Sequence, residues 1–374
     1  MARLIVEGLC KGWDFPVIDD LSFSVEEGEF FVVVGPSGIG KTTLLRLIAG
    51  LESADRGVIR LGEREVTRLP PYRRRIAMTF ESYALYPHLT VFENIASPLK
   101  ARKTDRATIE RRVTGVAKLL RIDHLLERKP GEVSGGQKQR TALGRTLVAD
   151  PEAFLLDEPI SHLDAKIRHE LRMQFHTLED LRRVATLYVT HDYAEALSLG
   201  DRIGVMGNGG QLVQIGNARE LFERPKALFV AEHLGQPTIN VIAGRLVEEA
   251  GRLYAAAETG DFRLPLSDRH RACLKDRNSG RVTLGLRPQH VRPSDEGPGG
   301  EIQAGSVALE AQVDIFEALG SNGIMITQAG GVQLTAMTSP ERHFDAGQTV
   351  SLAVESEALH LFDPESGLSL LEDT

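Results

Sequence analysis

A glycine-rich loop, flanked by an apolar segment and by a segment of helical periodicity, constrains the fold of this chain more than any other feature. The loop reads Gly35-Pro-Ser-Gly-Ile-Gly-Lys41-Thr42 and directly follows the apolar run from Phe30 to Val34. The next segment carries apolar residues on one helical face, at Leu44, Leu45, Leu47, Ile48 and Leu51. Strand, glycine loop, lysine, hydroxyl and helix, in this order, are the context that a phosphate-binding loop requires.

Each part of this loop has its own electrostatic role. Glycines let backbone N–H groups turn towards phosphate oxygens, and the start of the helix adds positive potential. Lys41 would neutralise the β- and γ-phosphates, and the Thr42 hydroxyl would ligate Mg²⁺. The residues predicted to contact a nucleotide here are Gly35, Ser37, Gly38, Gly40, Lys41, Thr42 and Thr43.

A second apolar segment ends in two carboxylates. Ala153 to Leu156 reads as a buried strand, and Asp157 and Glu158 follow it directly. The first carboxylate would hold Mg²⁺ through water, and the second would polarise the water that attacks the γ-phosphate. Acidic residues often follow strands, so the pair acquires this meaning only together with the glycine loop.

A second glycine loop lies between these two motifs and opens another helix. It comprises Ser134, Gly135, Gly136 and Gln137. Ser134 is a good N-cap, and the free N–H groups behind it form an anion site. The alternative is a plain capped helix. Two phosphate-binding helix starts in one chain favour a dimer in which each nucleotide is enclosed by the partner's second loop.

The chain shows two successive patterns, and its 374 residues are too many for one ordinary domain. In residues 1–235, strand-like runs alternate with helix-period stretches, which favours a parallel α/β sheet. Within this part, residues from about 89 to 150 predict a helical insertion whose apolar face is Ile109, Val113, Val116 and Leu120.

Residues 236–374 show period-2 alternation, which predicts a small all-β domain, a barrel. The alternating apolar residues include Val307, Leu309, Ala311, Val313, Ile315, Val332, Leu334, Ala336, Val350, Leu352 and Val354. Asn322-Gly323 and Gly330-Gly331 are turn signals. The Gly/Pro stretch 296–300 predicts a loop between strands.

Composition excludes several classes of protein. With 44 basic and 52 acidic side chains, the formal charge of −8 gives no net attraction to nucleic acid. Arg73, Arg74 and Arg75 are expected to form a solvated edge or a charge near the phosphates.

The longest apolar runs have about five residues, against roughly 20 for a membrane-spanning helix. The first residues lack the pattern of a signal peptide, and the two cysteines indicate a reduced compartment without disulfides.

Together, these motifs resemble the ATP-binding subunit of ABC transporters, over nearly the whole chain. The resemblance implies a RecA-like core with a helical subdomain. It also implies that Ser134 to Gln137 is the signature loop pressing on ATP held by the opposite subunit. Asp164, in the segment Ile160-Ser-His-Leu-Asp164, would belong to the loop linking the two sites across the dimer.

Two aromatic side chains acquire roles from the same resemblance. His191, in Thr190-His191-Asp192, matches the switch histidine that contacts the γ-phosphate, although a histidine after a strand is usually structural. Trp13 falls where the family places an aromatic that stacks on adenine. A core or surface tryptophan is the alternative for Trp13, because sequence cannot distinguish a stacking platform from a core aromatic.

One position departs from the family pattern. Glu81 stands where the family has a glutamine that ligates Mg²⁺ and senses the transmembrane partner. A carboxylate near the phosphates adds a repulsion of about 3 kcal/mol at roughly 5 Å and an effective dielectric near 20, opposed by attraction to Mg²⁺. We therefore expect Glu81 to take part in metal binding and catalysis, with hydrolysis slowed or altered in its metal dependence.

The segment Tyr83 to His88 is aromatic and apolar and contains a proline. We expect it to seat a short helix of a transmembrane permease subunit. A small core patch is the alternative.

The C-terminal part also resembles a known domain. Leu284 to Asp295 and the stretch from Leu319 onward look like the regulatory barrel of carbohydrate-importer ATPases of the maltose and glycerol-phosphate type. The resemblance implies an importer ATPase for a sugar, polyol or similar solute, peripheral on the cytoplasmic face of the inner membrane. Its cofactors would be ATP and Mg²⁺. Its partners would be a second ATPase subunit, identical or paralogous, permease subunits and, indirectly, a solute-binding protein, with no nucleic acid.

Two other functions remain open from the sequence. A soluble ABC ATPase of translation or DNA repair usually carries two cassettes or long coiled-coil insertions, and this chain has one cassette plus a barrel. A regulatory or low-turnover ATP-binding partner is favoured only by Glu81.

Overall fold

The computed structural model describes residues 3–176, 178, 181, 183–274, 279–294 and 306–371. The chain divides into two units, Met1–Ala218 and Arg219–Thr374. Strands of the first unit are β1 Leu4–Gly12, β2 Pro16–Val25, β3 Phe30–Val34, β4 Arg56–Leu61, β5 Arg64–Glu65, β6 Ile76–Met78, β7 Ala153–Asp157, β8 Ala185–Thr190, β9 Arg202–Met206 and β10 Leu212–Gly216. Its helices are α1 Lys41–Ala49, α2 Pro71–Arg74, α3 Val91–Ala101, α4 Arg106–Leu119, α5 Gly135–Leu147, α6 Ala165–Phe175 and α7 Tyr193–Leu199.

The second unit contains mainly strands. They are β11 Asn240–Glu249, β12 Arg252–Ala257, β13 Arg263–Pro265, β14 Gly280–Leu286, β15 Val291–Pro293, β16 Ser306–Leu319, β17 Asn322–Ala329, β18 Val332–Thr338, β19 Thr349–Glu355 and β20 His360–Phe362. Its described helices are α8 Ala218–Glu223, which begins at the unit boundary, α9 Leu228–His233 and α10 Asp268–Leu274.

A six-stranded sheet of order β10-β9-β3-β8-β7-β6 forms the centre of the first unit. Strands β9, β3, β8, β7 and β6 pair in parallel, and only β10 runs antiparallel to its neighbour. Every residue of β3, β7 and β8 is buried, as expected for a parallel sheet covered on both faces. Because Val34 pairs with Thr190 and Asp157 with Val189, the loops after these three strands begin at one edge.

Two features of the first unit differ from the sequence pattern. A separate antiparallel sheet of order β2-β1-β4-β5 shares its hydrophobic cluster with the parallel sheet, and the alternation of apolar segments did not predict it. Leu51 was predicted on the buried face of α1 but is 45% exposed, because Gly50 adopts a left-handed conformation (φ 77°) that ends the helix before it.

The segment between β6 and β7 folds into α3, α4 and α5. Ile109, Val113 and Leu120 are buried, and Val116 is partly buried, so one face of α4 packs inward. In the described residues no helix combines the length and the apolar character needed to cross a bilayer.

Two five-stranded antiparallel sheets, β13-β12-β11-β14-β20 and β15-β19-β16-β17-β18, form the second unit. Gly330 and Gly331 form the β17–β18 turn, both with positive φ. The preceding turn lies at Gly320 (φ 64°), because Asn322 and Gly323 already belong to β17.

The side chain of Ile315 is 49% exposed, although the alternation of apolar residues predicts that it faces the core. A register shift between Val313 and Ile315 reverses the alternation at this point. The predicted loop 296–300 lies outside the described residues.

Residues 219–235 belong structurally to the second unit, whereas the sequence pattern changes at 236. Backbone bonds from Leu228 N to Gly367 O and from Ser369 N to Lys226 O join them to that unit, and so does Arg287, which is 2% exposed. Its guanidinium stacks on the Phe222 ring at 3.6 Å and donates to the carbonyls of Phe222 and Leu234. Burial lowers the pKa of Arg287 to about 10. The predicted boundary at 235/236 thus marks a change of pattern inside one packed unit.

Arg74 is a buried cation at the C-terminal end of α1, not a solvated edge. It is 2% exposed, and its guanidinium donates to the carbonyls of Leu47 and Ile48 in α1 at 2.8 Å each. Two further bonds reach Leu69 O and Thr67 O. A cation here complements the helix dipole and binds carbonyls that the helix leaves unpaired. Arg74 therefore fixes the end of α1 opposite the glycine loop.

We predict that Arg74→Met lowers the free energy of unfolding by about 3 kcal/mol, because several buried carbonyls lose their donor. The urea midpoint of the purified protein measures the loss. Arg73→Met is the matched control, since Arg73 is exposed and its replacement should change stability by less than about 0.5 kcal/mol. Equal midpoints for the two variants would contradict the role assigned to Arg74.

Candidate functional site

The glycine loop joins β3 to α1 in a conformation that only glycine adopts easily. Gly38 and Gly40 have φ of 80° and 113°. A Cβ at Gly35 would lie 2.5 Å from the Met206 carbonyl oxygen, so this position also excludes larger residues. The predicted contacts Ser37, Thr42 and Thr43 lie in the same loop and in the first turn of α1.

Lys41 is folded against the inside of this loop. It is 6% exposed, and its Nζ donates to the carbonyl oxygens of Gly35 and Pro36 at 2.8 Å each. Burial lowers the pKa of Lys41, while the charges of Glu158, Asp157 and Glu81 oppose that shift. The loop therefore holds a desolvated ammonium group among three carboxylates, which suits the binding of an anion with its metal ion.

Asp157 and Thr42 bring two hard oxygen donors together. Thr42 Oγ1 donates to Asp157 Oδ1 at 3.3 Å, and Thr79 Oγ1 accepts from the Asp157 backbone N–H at 2.8 Å. Burial raises the pKa of Asp157 to about 6, partly offset by the bond from Thr42. No group of three or more His, Cys, Asp or Glu in the described ranges could hold a metal by itself. Mg²⁺ normally needs only one or two carboxylates plus substrate phosphates, and this pair fits that pattern.

Glu158 and His191 form a close pair at the same sheet edge. Glu158 Oε1 lies 2.7 Å from His191 Nδ1, although the two residues follow different strands, β7 and β8. Glu158 has a φ of 43°, a left-handed conformation that is unusual outside glycine. Strain of this kind persists only where surrounding contacts impose it, and it is concentrated at functional sites.

A buried network supports the segment that carries His191. Glu195 Oε2 accepts from Tyr188 Oη at 2.8 Å and from Thr190 Oγ1 at 3.0 Å. Burial raises the pKa of Glu195. Asp192 caps α7 by accepting from the N–H groups of Ala194 and Glu195. The backbone on both sides of His191 is therefore fixed.

Glu81 is exposed and follows β6 by three residues. Its charge opposes the lowering of the Lys41 pKa and adds to the raising of the Asp157 pKa.

The remaining predicted residues are the second glycine loop, Asp164 and Trp13, and a Cβ at Gly136 would lie 3.4 Å from the Leu163 side chain. Ser134 caps α5 in a capping box with Gln137, and a Cβ at Gly135 would meet nothing within 4 Å. Asp164 caps α6 by accepting from Ile167 N at 3.0 Å. Trp13 is 59% exposed between β1 and β2, with Lys11 Nζ 5.2 Å from its ring centroid. In the described chain, no hydrogen bond links Ser134, Asp164 or Trp13 to Lys41.

Two polar side chains, one buried and one partly buried, fasten the segment Tyr83–His88, and sequence reasoning missed both. Asn94, fully buried on α3, accepts from Tyr86 N at 2.8 Å and donates to Tyr86 O at 3.1 Å. Arg145 on α5 donates to Ala84 O at 2.7 Å and Tyr83 O at 3.1 Å. Tyr83 and Ala84 have φ of 62° and 44°, so Arg145 holds a strained turn. For Asn94, the available sequence signal was a polar residue on the apolar face of α3.

A lysine-bearing glycine loop, with Asp157, Glu158 and His191 at one edge of a parallel sheet, defines a P-loop nucleotide hydrolase. Three family models match the chain: ABC transporter over 18–161, MalK OB fold domain over 235–291 and TOBE domain over 284–362. The sn-glycerol-3-phosphate import ATP-binding protein UgpC of Ruegeria pomeroyi is 40% identical, with 100% of each chain covered. UgpC of Escherichia coli K12 is 41% identical, covering 98% of this chain and 99% of the relative.

The chain belongs to the family of ABC importer ATP-binding subunits, and it is an ATPase. Solved structures of ABC transporter cassettes are also similar to part of this chain. The dimeric structure of the bacterial ABC transporter cassette MJ0796 matches with a TM-score of 0.54 and 26% identity, covering 58% of this chain and 99% of that one. A post-hydrolysis dimer of the same cassette, bound to ADP and Pi, matches with a TM-score of 0.53 and 25% identity.

We predict that Glu81→Gln raises the maximal rate of phosphate release several-fold and also raises the Mg²⁺ concentration needed for half-maximal rate. The change removes a carboxylate that repels the γ-phosphate and attracts the metal ion. A Mg²⁺ titration of the ATPase rate measures both effects. Glu27→Gln makes the same charge change at an exposed turn and serves as the control. Identical rates and Mg²⁺ dependence for Glu81→Gln and the parent would leave Glu81 without a mechanistic role.

Proposed function

We propose that this ATPase energises the import of a small phosphorylated polyol or a sugar, as a peripheral subunit on the cytoplasmic face of the inner membrane. The support is 40% identity over full length to an sn-glycerol-3-phosphate importer subunit, together with its OB and TOBE domains. The catalytic part of the proposal rests on the Glu158–His191 pair. This pair lies at the edge of the parallel sheet that also carries Lys41 and Asp157.

The proposed catalytic roles follow from this geometry. Lys41 and the N–H groups of the glycine loop bind the phosphates. Glu158 accepts a proton from the attacking water, and His191, fixed beside it, orients the carboxylate and contacts the γ-phosphate. Thr42, Asp157 and Glu81 would hold Mg²⁺, which supplies charge neutralisation when bound. Trp13 offers an exposed ring for adenine.

The active unit is proposed to be a dimer, identical or paralogous. Ser134 to Gln137 and Asp164 stand at exposed helix starts with no bond to their own Lys41 in the described residues, so they are available to a partner's nucleotide. ATP would then close two cassettes head to tail, and hydrolysis would reopen them. A regulatory or low-turnover partner subunit is the alternative, and the rate of phosphate release distinguishes it.

The segment Tyr83–His88 is the proposed permease contact. Tyr86 is 48% exposed although its backbone is anchored by Asn94. Anchored backbone with exposed aromatic side chains suits a docking site, because little order is lost on binding. Permease subunits would bind here, and a solute-binding protein would act through them.

We predict that Lys41→Ala and Ser134→Arg each reduce phosphate release by at least a hundredfold. The first change removes a phosphate ligand, and the second blocks closure on the partner's nucleotide. In a host strain lacking this chain, neither variant should restore uptake of labelled sn-glycerol 3-phosphate. Unchanged turnover and uptake in both variants would refute the proposed function. Uptake of an unphosphorylated sugar alone would refute only the proposed solute class.

We predict that Arg145→Met lowers solute uptake per ATP hydrolysed about tenfold in the reconstituted transporter, because the turn at Tyr83 and Ala84 loses its clamp. Arg112→Met is a matched control on α4 of the same helical segment. Arg112 also donates to a backbone carbonyl, that of Ala149, which is remote in sequence from Tyr83–His88. A coupling ratio that falls equally in both variants would contradict a specific role for Arg145.

A further inference from the structure

Helix α5 contacts the catalytic glutamate through a side chain that the sequence motifs do not include. Gln139 is 4% exposed and lies five residues after Ser134, within the second turn of the helix. Its Nε2 donates to the backbone carbonyl of Glu158 at 3.1 Å. The helix whose first turn forms the signature loop is therefore also bonded to the residue proposed to activate water.

The Glu158 backbone needs such support because its φ of 43° is strained. Its N–H donates to Val189 O at 3.1 Å, and its carbonyl accepts from Gln139 Nε2, from Ser161 Oγ at 3.0 Å and from the Ser161 backbone N–H at 3.3 Å. Val189 belongs to the core sheet, whereas Gln139 lies on α5 and Ser161 in the loop 160–164. Gln139 and Ser161 both lie on elements proposed to contact the partner subunit.

Only the nitrogen of the Gln139 side-chain amide forms a hydrogen bond in the described part of the chain. Its Oε1 is buried and has no hydrogen-bond partner among the described residues. A carbonyl can only accept, so the amide must present its nitrogen to Glu158 and leave its oxygen unpaired. A buried unpaired oxygen is unfavourable, and an apolar residue would pack without that penalty. The donor function towards Glu158 is what distinguishes glutamine from an apolar residue here.

We propose that Gln139 is a positioning residue that relays closure of the partner's nucleotide site to Glu158 of its own site. The inference rests on the proposed function, in which Ser134 to Gln137 bind the partner's ATP. A helix moves as a rigid rod, and Gln139 lies only roughly 7 Å along the axis from Ser134. Displacement of the first turn by a partner's phosphate therefore moves the donor that fixes the Glu158 backbone, so each carboxylate is aligned when the opposite site is sealed.

The test replaces Gln139 with methionine, which keeps its length but cannot donate. We expect Gln139→Met to lower kcat at least tenfold while KM for ATP and ATP-driven dimerisation stay within twofold of the parent. Thr146→Val is the matched control, because Thr146 on α5 is also buried and donates to the Met78 carbonyl. The control should lose comparable thermal stability and keep its kcat. Equal kcat in the two variants would overturn the proposal.

A double-mutant cycle tests the relay. Ser134→Ala weakens sealing without abolishing it, and its combination with Gln139→Met should lower kcat less than the product of the two single losses. A multiplicative loss would overturn the relay. If Gln139→Met does not fold, Gln139→Glu at pH 8 removes the donor in an isosteric polar side chain, and a parental kcat would again overturn the proposal. Retention of the parental rate by Glu158→Gln would instead refute the proposed function and, with it, the relay.

Discussion

The parallel register of β3, β8 and β7 is the constraint on which the rest of the structure depends. It pairs Val34 with Thr190 and Asp157 with Val189, so three loops that are remote in sequence start at one edge. Those loops carry the ammonium, the carboxylates and the imidazole of the candidate site. All five residues of β3 are buried and hydrophobic. A shift of the strand register by one residue would therefore disrupt the packing of the core.

Arginine–carbonyl contacts recur as the means of fixing irregular backbone. Arg74 binds the end of α1, Arg145 binds the turn at Tyr83, and Arg287 binds the residues that enter the second unit. In each case burial lowers the pKa of the guanidinium. The group nonetheless stays charged at neutral pH, because the ordinary pKa of arginine lies far above neutral. A planar cation with several donors can satisfy more than one carbonyl at once, which a lysine cannot do as well.

The sequence predicted the parallel core, the helical insertion, the β-rich second unit and the family, because each has a strong periodicity or a motif of fixed spacing. It did not predict the antiparallel sheet β2-β1-β4-β5, in which only the β1–β4 pairing joins strands remote in sequence and therefore leaves no local signal; the short turns of the hairpins β1–β2 and β4–β5 were overlooked. The exposure of Ile315 depends on a bulge, and that of Leu51 on the left-handed Gly50. The burial of Arg74 was not expected, and Asn94, Gln139 and Arg145 were missed, because the burial and the hydrogen-bond partners of a polar side chain are decided by tertiary contacts, not by composition. The roles of the site residues stay predictions, although the geometry is compatible with them.

Trp13 has a practical consequence. It is the sole tryptophan of the chain, it stands mostly in solvent, and a lysine ammonium lies beside its ring. Intrinsic fluorescence excited at the red edge of the indole band therefore originates from a single position, at the turn joining β1 and β2. Quenching or a spectral shift of this emission reports on one surface of the cassette without any attached dye, and it allows events there to be timed in the unmodified protein.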